Sequence, residues 1–227
     1  MADETKQKTT QRKTRKKPEM TSEKIREEYM TYVLEYGYEP PSIFVFAKSL
    51  GLKESEFYNF YNSFTAIKKD IWLGFFSDTL ERLHSEEVYM EYSVREKLLA
   101  FYYTWIEVLK ENRSYVIQTV KEVKKPEITP AFLKPFREHF IHFANELVNE
   151  GKETEEVVDR PVIGNRYDEG LWLQVLFILN FWVKDDSQGF EKTDAAIEKA
   201  VNLSFDLMGK TAVDSLVNFA KFIFQNR

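Results

Sequence analysis

Several residue types are scarce in this chain of 227 residues, and each scarcity excludes a class of protein. There is no cysteine, which excludes disulfides, thiolate metal sites and cysteine nucleophiles. Eight glycines and seven prolines are too few for an all-β protein with many tight turns. No apolar run reaches the roughly 18 residues that a membrane helix requires. The first residues also lack the apolar segment of a secretory signal, so we expect a cytoplasmic protein without stable membrane insertion.

Apolar and aromatic side chains, in contrast, are plentiful. They make up 43% and 15% of the residues, with 19 Phe and 12 Tyr, which is ample for a packed core. Apolar residues recur at helical spacing along the chain, and we find no convincing strand alternation and no internal repeat. The sequence therefore predicts an all-α protein of about ten helices.

Capping residues and glycines predict where the helices begin and end. Thr21 or Ser22 can cap the first helix, and Gly37 can end it. Ser93 and Glu96 form a capping box for a helix that continues to residue 112. We expect further helices over residues 41–51, 53–61, 63–84, 115–124, 130–151, 171–183, 189–208 and 211–227.

Charge is distributed unevenly along the chain, whose formal net charge is −5. Residues 1–20 carry seven basic and three acidic side chains, a net charge of +4. We expect this arm to be disordered, because it has too little apolar surface to bury. A basic arm on an acidic body favours an anionic partner such as nucleic acid or a membrane surface, with a solubilising tail as the alternative. Its candidate DNA contacts are Arg12, Lys13, Arg15, Lys16 and Lys17.

The three short helices of residues 21–63 have the proportions of a helix-turn-helix unit. Four groups of residues occur in order within them: Gly37-Tyr38, Phe46-Ala47, Gly51-Leu52 and Phe57-Tyr58-Asn59-Phe60-Tyr61. This pattern resembles the DNA-binding domain of the TetR family of repressors. The resemblance implies a three-helix helix-turn-helix N-terminal domain over residues 21–63. It also implies a helical-bundle C-terminal domain over residues 64–227 for ligand binding and dimerisation.

The same resemblance implies which residues contact DNA, although several depart from the family pattern. Lys53 replaces the usual serine before the third helix, and Phe64 replaces a phosphate-binding lysine. Residues 21–63 carry four basic and seven acidic side chains, so this domain is poorly charged for phosphate contacts. Outside the arm, the candidate DNA contacts are Lys53, Ser55, Glu56, Tyr58, Asn59, Lys68 and Lys69, of which Tyr58 and Asn59 are the strongest.

Aromatic side chains dominate the body, where a core and a ligand pocket would use the same residue types. The resemblance implies a pocket among the body helices for an apolar small molecule or lipid. Its candidate lining residues are Phe76, Phe101, Tyr102, Trp105, Tyr115, Gln118, Phe136, Phe140, His142, Phe143, Trp172 and Phe177.

Residues 171–183 are apolar at eleven of thirteen positions. This helix has too few polar positions for one solvent-exposed face and is too short to cross a membrane, so protein should cover both sides. We therefore expect a homodimer in which a second copy covers the outer side, where we place Leu179. The candidate interface residues are Leu171, Val175, Leu179, Trp182, Phe190 and Ile197.

Signals for catalysis are weak. The chain has three histidines, and Glu81 and His84 have the spacing of a helical di-iron site, which needs a second copy that we do not find. His139 and His142 lie three residues apart with Glu138 and Glu146 nearby, so a metal is geometrically possible, but the favoured interpretation is surface or pocket histidines with ordinary i,i+4 partners. We expect a protein that is not an enzyme and that has no cofactor and no metal site.

The sequence supports two hypotheses for the function. The first is a one-component transcriptional regulator whose DNA binding is modulated by an apolar effector. The second is a lipid- or protein-binding module that kept the fold and lost sequence-specific DNA binding, similar to ubiquinone-biosynthesis lipid-binding proteins.

Overall fold

The computed structural model describes residues 19–121, 123, 129–160 and 166–209. These residues form nine α-helices and no strand, which confirms the all-α prediction. The helices are α1 (Ser22–Tyr36), α2 (Ile43–Ser49), α3 (Glu54–Phe57), α4 (Phe64–Ser85), α5 (Val94–Glu111), α6 (Arg113–Lys121), α7 (Lys134–Glu153), α8 (Tyr167–Lys184) and α9 (Glu191–Met208). Short 3-10 turns cover Glu87–Glu91, Ala131–Leu133 and Gln188–Phe190. Most of the expected arm and the expected helix at 211–227 lie outside the described residues.

Local signals at the helix ends act as the sequence predicts. The Thr21 hydroxyl accepts a hydrogen bond from Lys24 N–H at 3.2 Å and caps α1. Gly37 ends α1 with φ 77°, in the left-handed region that favours a residue without Cβ. The capping box of Ser93 and Glu96 opens α5.

Two boundaries in the N-terminal part differ from expectation. α2 begins after Ser42 and not at Pro41, because the Ser42 hydroxyl caps it by accepting from Val45 N–H at 3.2 Å. α3 has a single turn and does not extend over residues 53–61. It ends early because Asn59 N–H and Phe60 N–H bond to carbonyls three residues back, as in tight turns.

Helix α4 is the central element of the described structure. It packs against α1, α5 and α7, while α8 packs against α7 and α9. Because α9 also contacts α5, helices α4, α5, α7, α8 and α9 enclose one core. The four tryptophans, Trp72, Trp105, Trp172 and Trp182, are all fully buried there.

Polar contacts attach the first three helices to the body. Arg26 on α1 forms an ion pair with Asp70 on α4 at 2.9 Å, and the Tyr61 hydroxyl donates to the same carboxylate at 2.5 Å. Gln118 on α6 donates to the Gly37 carbonyl at 2.7 Å. Both α4 and α6 therefore hold the N-terminal helices in place.

A buried carboxylate organises the turn between α8 and α9. Asp185 accepts hydrogen bonds from the backbone N–H and the hydroxyl of both Ser187 and Thr193, at 2.6–2.9 Å. Burial opposes ionisation of Asp185, but these hydrogen bonds outweigh it and lower its pKa to about 2. The turn therefore holds a charged carboxylate at physiological pH.

Arg113, the first residue of α6, contacts this turn through both its charge and its hydrogen bonds. Its guanidinium carbon lies 4.5 Å from the ring centre of Trp182 and 4.4 Å from that of Phe190, a double cation–π contact. The same guanidinium donates to the carbonyls of Trp182 and Asp185, each at 3.1 Å. α6 thus connects the α8–α9 turn at one end with the N-terminal helices through Gln118.

Candidate functional site

Helices α2 and α3 meet through a tight turn of helix-turn-helix type. Leu52 N–H bonds to the Ala47 carbonyl at 2.9 Å, and Gly51 adopts φ 68° between the two helices. Ala47 and Phe57 are both fully buried, so the small side chain allows close approach and the phenyl ring holds α3 on the core. The turn and these two buried residues therefore hold α3 against α2.

The predicted DNA contacts around α3 lie at the surface. Lys53, Ser55, Glu56, Tyr58 and Asn59 are all exposed. The Glu56 carboxylate accepts from Lys53 N–H at 2.7 Å, and the Tyr58 hydroxyl donates to Glu54 at 3.1 Å. Two carboxylates therefore lie among the side chains that would approach phosphates.

The two lysines predicted on α4 differ in their surroundings. Lys68 forms an ion pair with Glu39 at 2.9 Å, so its charge is already partly compensated. Lys69 is half-buried one residue further along the same helix. The predicted contacts of the arm, from Arg12 to Lys17, lie outside the described residues.

The N-terminal helices also expose large aromatic side chains. Tyr36, Tyr38, Phe44 and Tyr58 are each at least half exposed. Tyr36 lies against Tyr32, with ring centres 4.4 Å apart. Exposed aromatics beside acidic side chains are more typical of a protein-binding surface than of a phosphate-binding one.

Most of the predicted ligand-binding residues form packed core. Phe76, Phe101, Phe136, Phe140, Phe143 and Trp172, with Tyr102 and Trp105, are buried and linked by ring contacts whose centres are 4.9–6.4 Å apart. Tyr115 is also buried. Since the rings fill the space between the helices themselves, Phe140→Trp would overpack this cluster and not fill a cavity.

The three remaining members of the predicted ligand set lie in three other places. Gln118 is bonded to the Gly37 carbonyl at the junction with the N-terminal helices. Phe177 is half exposed on the outer side of α8. His142 is exposed on α7, with its Nε2 3.3 Å from the Glu146 carboxylate. The structure therefore does not bring the predicted set together around one cavity.

A pocket of about 290 Å³ does lie beside this core, between α4, the 87–91 turn, α5 and α7. We call it the histidine pocket, because all three histidines of the chain line it. Its other lining residues are Phe76, Leu80, Tyr89, Met90, Lys97, Phe143, Glu146, Leu147 and Glu150. Three of the predicted ligand-binding residues, Phe76, His142 and Phe143, are therefore neighbours here.

A second, larger cavity of about 1030 Å³ lies along the outer faces of α8 and α9. We call it the α8–α9 groove. Its exposed apolar side chains include Leu173, Phe177, Leu203 and Leu207, and small residues such as Ala196 and Ala200 lie between them. Such a contiguous apolar groove is typical of a surface that another protein segment covers.

Five of the six predicted interface residues lie away from the groove, whereas Leu171 lines it. Leu171, Val175, Leu179, Trp182 and Ile197 are buried within the chain, and Phe190 is half-buried against Arg113. The expectation that Leu179 faces outward is wrong, because it is only 4% exposed in the single chain. The outward positions of α8 are Leu173, Phe177 and Phe181, and the last two lie two residues before and two residues after Leu179.

Sequence reasoning missed the polar half of the histidine pocket and the correct face of α8. Tyr89 follows His84 by five residues, beyond the end of α4, and Lys97 lies on α5, so no local pattern links either residue to His139 and His142 on α7. The outer face of α9 carried a usable signal, since Ala196, Ala200, Leu203 and Leu207 recur at helical spacing. No group of three or more His, Cys, Asp or Glu in the described ranges could hold a metal ion. Nor is any helix within them long and apolar enough to cross a membrane.

A family comparison covers the α8–α9 groove and part of the histidine pocket. The model of the family described as tetracyclin repressor-like, C-terminal domain, matches residues 97–223, more than half of the chain. The chain belongs to this family. The match begins within α5 and includes α6 to α9, so it is independent of the helix-turn-helix motif. No curated protein matches the chain significantly.

Membership places the chain among TetR-like regulators in general. The resemblance of residues 22–63 and the match of residues 97–223 concern different parts of the chain, and both lead to the same family. Within the described residues, three short helices precede six further helices.

Proposed function

We propose that this chain is a dimeric one-component transcriptional regulator whose DNA binding is modulated by a small, mostly apolar effector. One observation carries the proposal: a helix-turn-helix unit with exposed residues around α3 is attached to a body of a regulator family. The attachment through Asp70 and Gln118 gives the body a mechanical connection to that unit.

The distribution of charge along the chain determines which part of this protein would bind the DNA phosphates. Residues 21–63 have more acidic than basic side chains, whereas residues 1–20 have a net charge of +4. Since phosphate contacts supply most nonspecific affinity, we propose that the arm supplies it here. The exposed side chains of Ser55, Tyr58 and Asn59 would then contribute to sequence preference.

The α8–α9 groove supports the dimer in this proposal. A second copy that places its own α8 and α9 in the groove would bury Leu173, Phe177, Leu203 and Leu207 from both subunits in an isologous contact. The two helix-turn-helix units would then be held at a defined separation, which two half-sites on DNA require.

Helix α4 gives the effector a route to the DNA-binding unit. Leu80 and His84 near its C-terminal end line the histidine pocket, and Asp70 on the same helix holds Arg26 and Tyr61. A ligand that favours one position of α4 would bias the position of α1 and α3.

The test is fluorescence anisotropy with DNA from the protein's own promoter region and a shuffled sequence of the same length. We expect the promoter DNA to bind at least about 100-fold more tightly. Glu56→Gln should strengthen binding or alter sequence preference, because it removes a negative charge beside the DNA. Glu138→Gln, an equal change at an exposed position of α7, should leave binding unchanged. Equal affinity for both DNAs would contradict sequence recognition.

The exposed aromatics of the N-terminal helices favour one second function. Tyr36, Tyr38, Phe44 and Tyr58, next to acidic side chains, suit a module that binds a protein or lipid and has lost sequence-specific DNA binding. Absence of promoter binding even at low salt, together with a stable dimer, would favour this module over the regulator.

A further inference from the structure

The histidine pocket has an apolar floor. Phe76, Phe143 and Leu147 are buried there, and Leu80 is half-buried beside them. The imidazole of His139 lies against the Phe76 ring, with ring centres 6.1 Å apart. The pocket volume of about 290 Å³ corresponds to about ten waters of about 30 Å³ each, and hence to a ligand of about ten non-hydrogen atoms.

The two carboxylates of the pocket already have partners. The Lys97 ammonium lies 2.5 Å from the Glu150 carboxylate, and the lysine is only 7% exposed. Glu146 lies 3.3 Å from His142 Nε2 at the exposed rim. A cationic ligand would therefore have to compete with existing partners for each carboxylate.

Three other hydrogen-bond donors of the pocket, in contrast, have no partner among the described residues. Neither His84 nor His139 makes a hydrogen bond or ion pair with another described residue, and the Tyr89 hydroxyl makes none either. Tyr89 is buried, and burial together with the nearby Glu150 carboxylate raises its pKa to about 12. Its hydroxyl thus stays protonated and is able to donate. His84 and His139 are exposed and Tyr89 lines the pocket, so each of the three can donate to water or to a ligand atom.

We propose that the histidine pocket binds a small apolar carboxylic acid, whose body lies on Phe76 and Phe143 and whose carboxylate accepts from Tyr89, His84 and His139. This inference rests on the proposed function, because such an acid would be the effector. The body of the acid matches the buried phenyl rings in polarity, and its carboxylate meets donors beside the Lys97–Glu150 ion pair, in which the ammonium offsets the charge of Glu150.

The test is isothermal titration calorimetry of the full chain with benzoate and octanoate, each of about ten non-hydrogen atoms. Benzamide and octanamide are neutral analogues of the same shape, and benzylamine is a cationic one. We expect at least one of the two acids to bind, and its amide and benzylamine to bind at least about tenfold more weakly. No binding of either acid at millimolar concentration, or equal binding of the amide, would overturn the proposal.

Two tyrosine variants locate the site. Tyr89→Phe removes a donor of the pocket and should weaken acid binding about tenfold. Tyr92→Phe is the matched control, because Tyr92 packs edge-on against Tyr89 at 6.0 Å but does not line the pocket.

A third variant, Leu80→Trp, should fill the pocket and abolish acid binding while the thermal unfolding temperature stays within a few degrees. Unchanged affinity in Tyr89→Phe, or an equal loss in Tyr92→Phe, would place the acid elsewhere.

Binding is measured here without DNA, so its outcome is separate from that of the promoter experiment. An acid that binds while promoter DNA does not would leave this site in place and overturn only the regulator. Promoter binding without acid binding would overturn the acid site and leave the regulator in place.

Discussion

At the scale of single residues, the space around a position can outweigh the helix propensity of the residue placed there. Gly74 lies within α4 and has open space where a Cβ would be placed. Gly151 lies in the last turn of α7, where a Cβ would be 2.6 Å from Val157 Cγ2. Val157 is buried and its N–H bonds to the Gly151 carbonyl at 2.8 Å, so neither group is free to move away.

The two glycines therefore predict opposite responses to the same substitution. Gly74→Ala should raise the free energy of unfolding by about 0.5–1 kcal/mol, because alanine loses less conformational entropy in a helix. Gly151→Ala should lower it by about 1–2 kcal/mol, because the clash with Val157 outweighs that gain. Urea unfolding of the two variants checks this. Changes of the same sign would show that α7 and Val157 can separate at little cost.

Residues with local roles could be predicted from the sequence, and residues with distant partners could not. Thr21, Gly37 and Ser93 make their capping hydrogen bonds within four residues of their own positions, so the neighbouring sequence is enough to predict these roles. Arg113 and Asp185 meet only because α6 and the α8–α9 turn are adjacent in the fold. The spacing of these two residues along the chain does not predict that contact.

At the scale of elements, the type of each helix could be predicted more reliably than the direction it faces. α8 is apolar around most of its circumference, so its pattern could not tell the inner side with Leu179 from the outer side with Leu173. α3 was expected to be longer, because Phe57, Phe60 and Tyr61 have helical spacing although the backbone turns tightly after Phe57. The aromatic residues of α4, α5 and α7 do lie on helices, as their spacing predicts, but most of their rings fill the core, and of the predicted aromatic lining Phe76 and Phe143 alone reach the histidine pocket.

The outer face of α8 and α9 leads to a prediction about assembly. Leu203 is 59% exposed in the groove, so Leu203→Asp should not affect folding but should place a charge in the proposed subunit contact. We expect the dissociation constant of the dimer to rise at least about 100-fold, as for loss of a central apolar contact. Light scattering at micromolar concentration measures this.

The matched control is Leu34→Asp, which introduces the same charge at a similarly exposed leucine on α1. This variant should remain a dimer. A monomeric unsubstituted chain, or a Leu203→Asp variant that dimerises as well as the control, would contradict the proposed use of the α8–α9 groove.

At the scale of the whole molecule, charge is separated between parts that the proposed function uses differently. The arm has a net charge of +4, whereas the rest of the chain is acidic. The helix-turn-helix unit is acidic, so it lacks the charge to attract the DNA that we propose it binds. In a dimer, two arms would supply the missing positive charge to one DNA site.

The salt dependence of DNA binding tests this central claim most directly. The logarithm of the binding constant for promoter DNA is measured against the logarithm of salt concentration, for the full chain and for a chain without residues 1–20. If four arm cations per subunit contact phosphates, deletion should reduce the magnitude of the slope by about 7. Affinity at moderate salt should then fall by several orders of magnitude. An unchanged slope and affinity after deletion would contradict the account, because the acidic helix-turn-helix unit would then hold DNA alone.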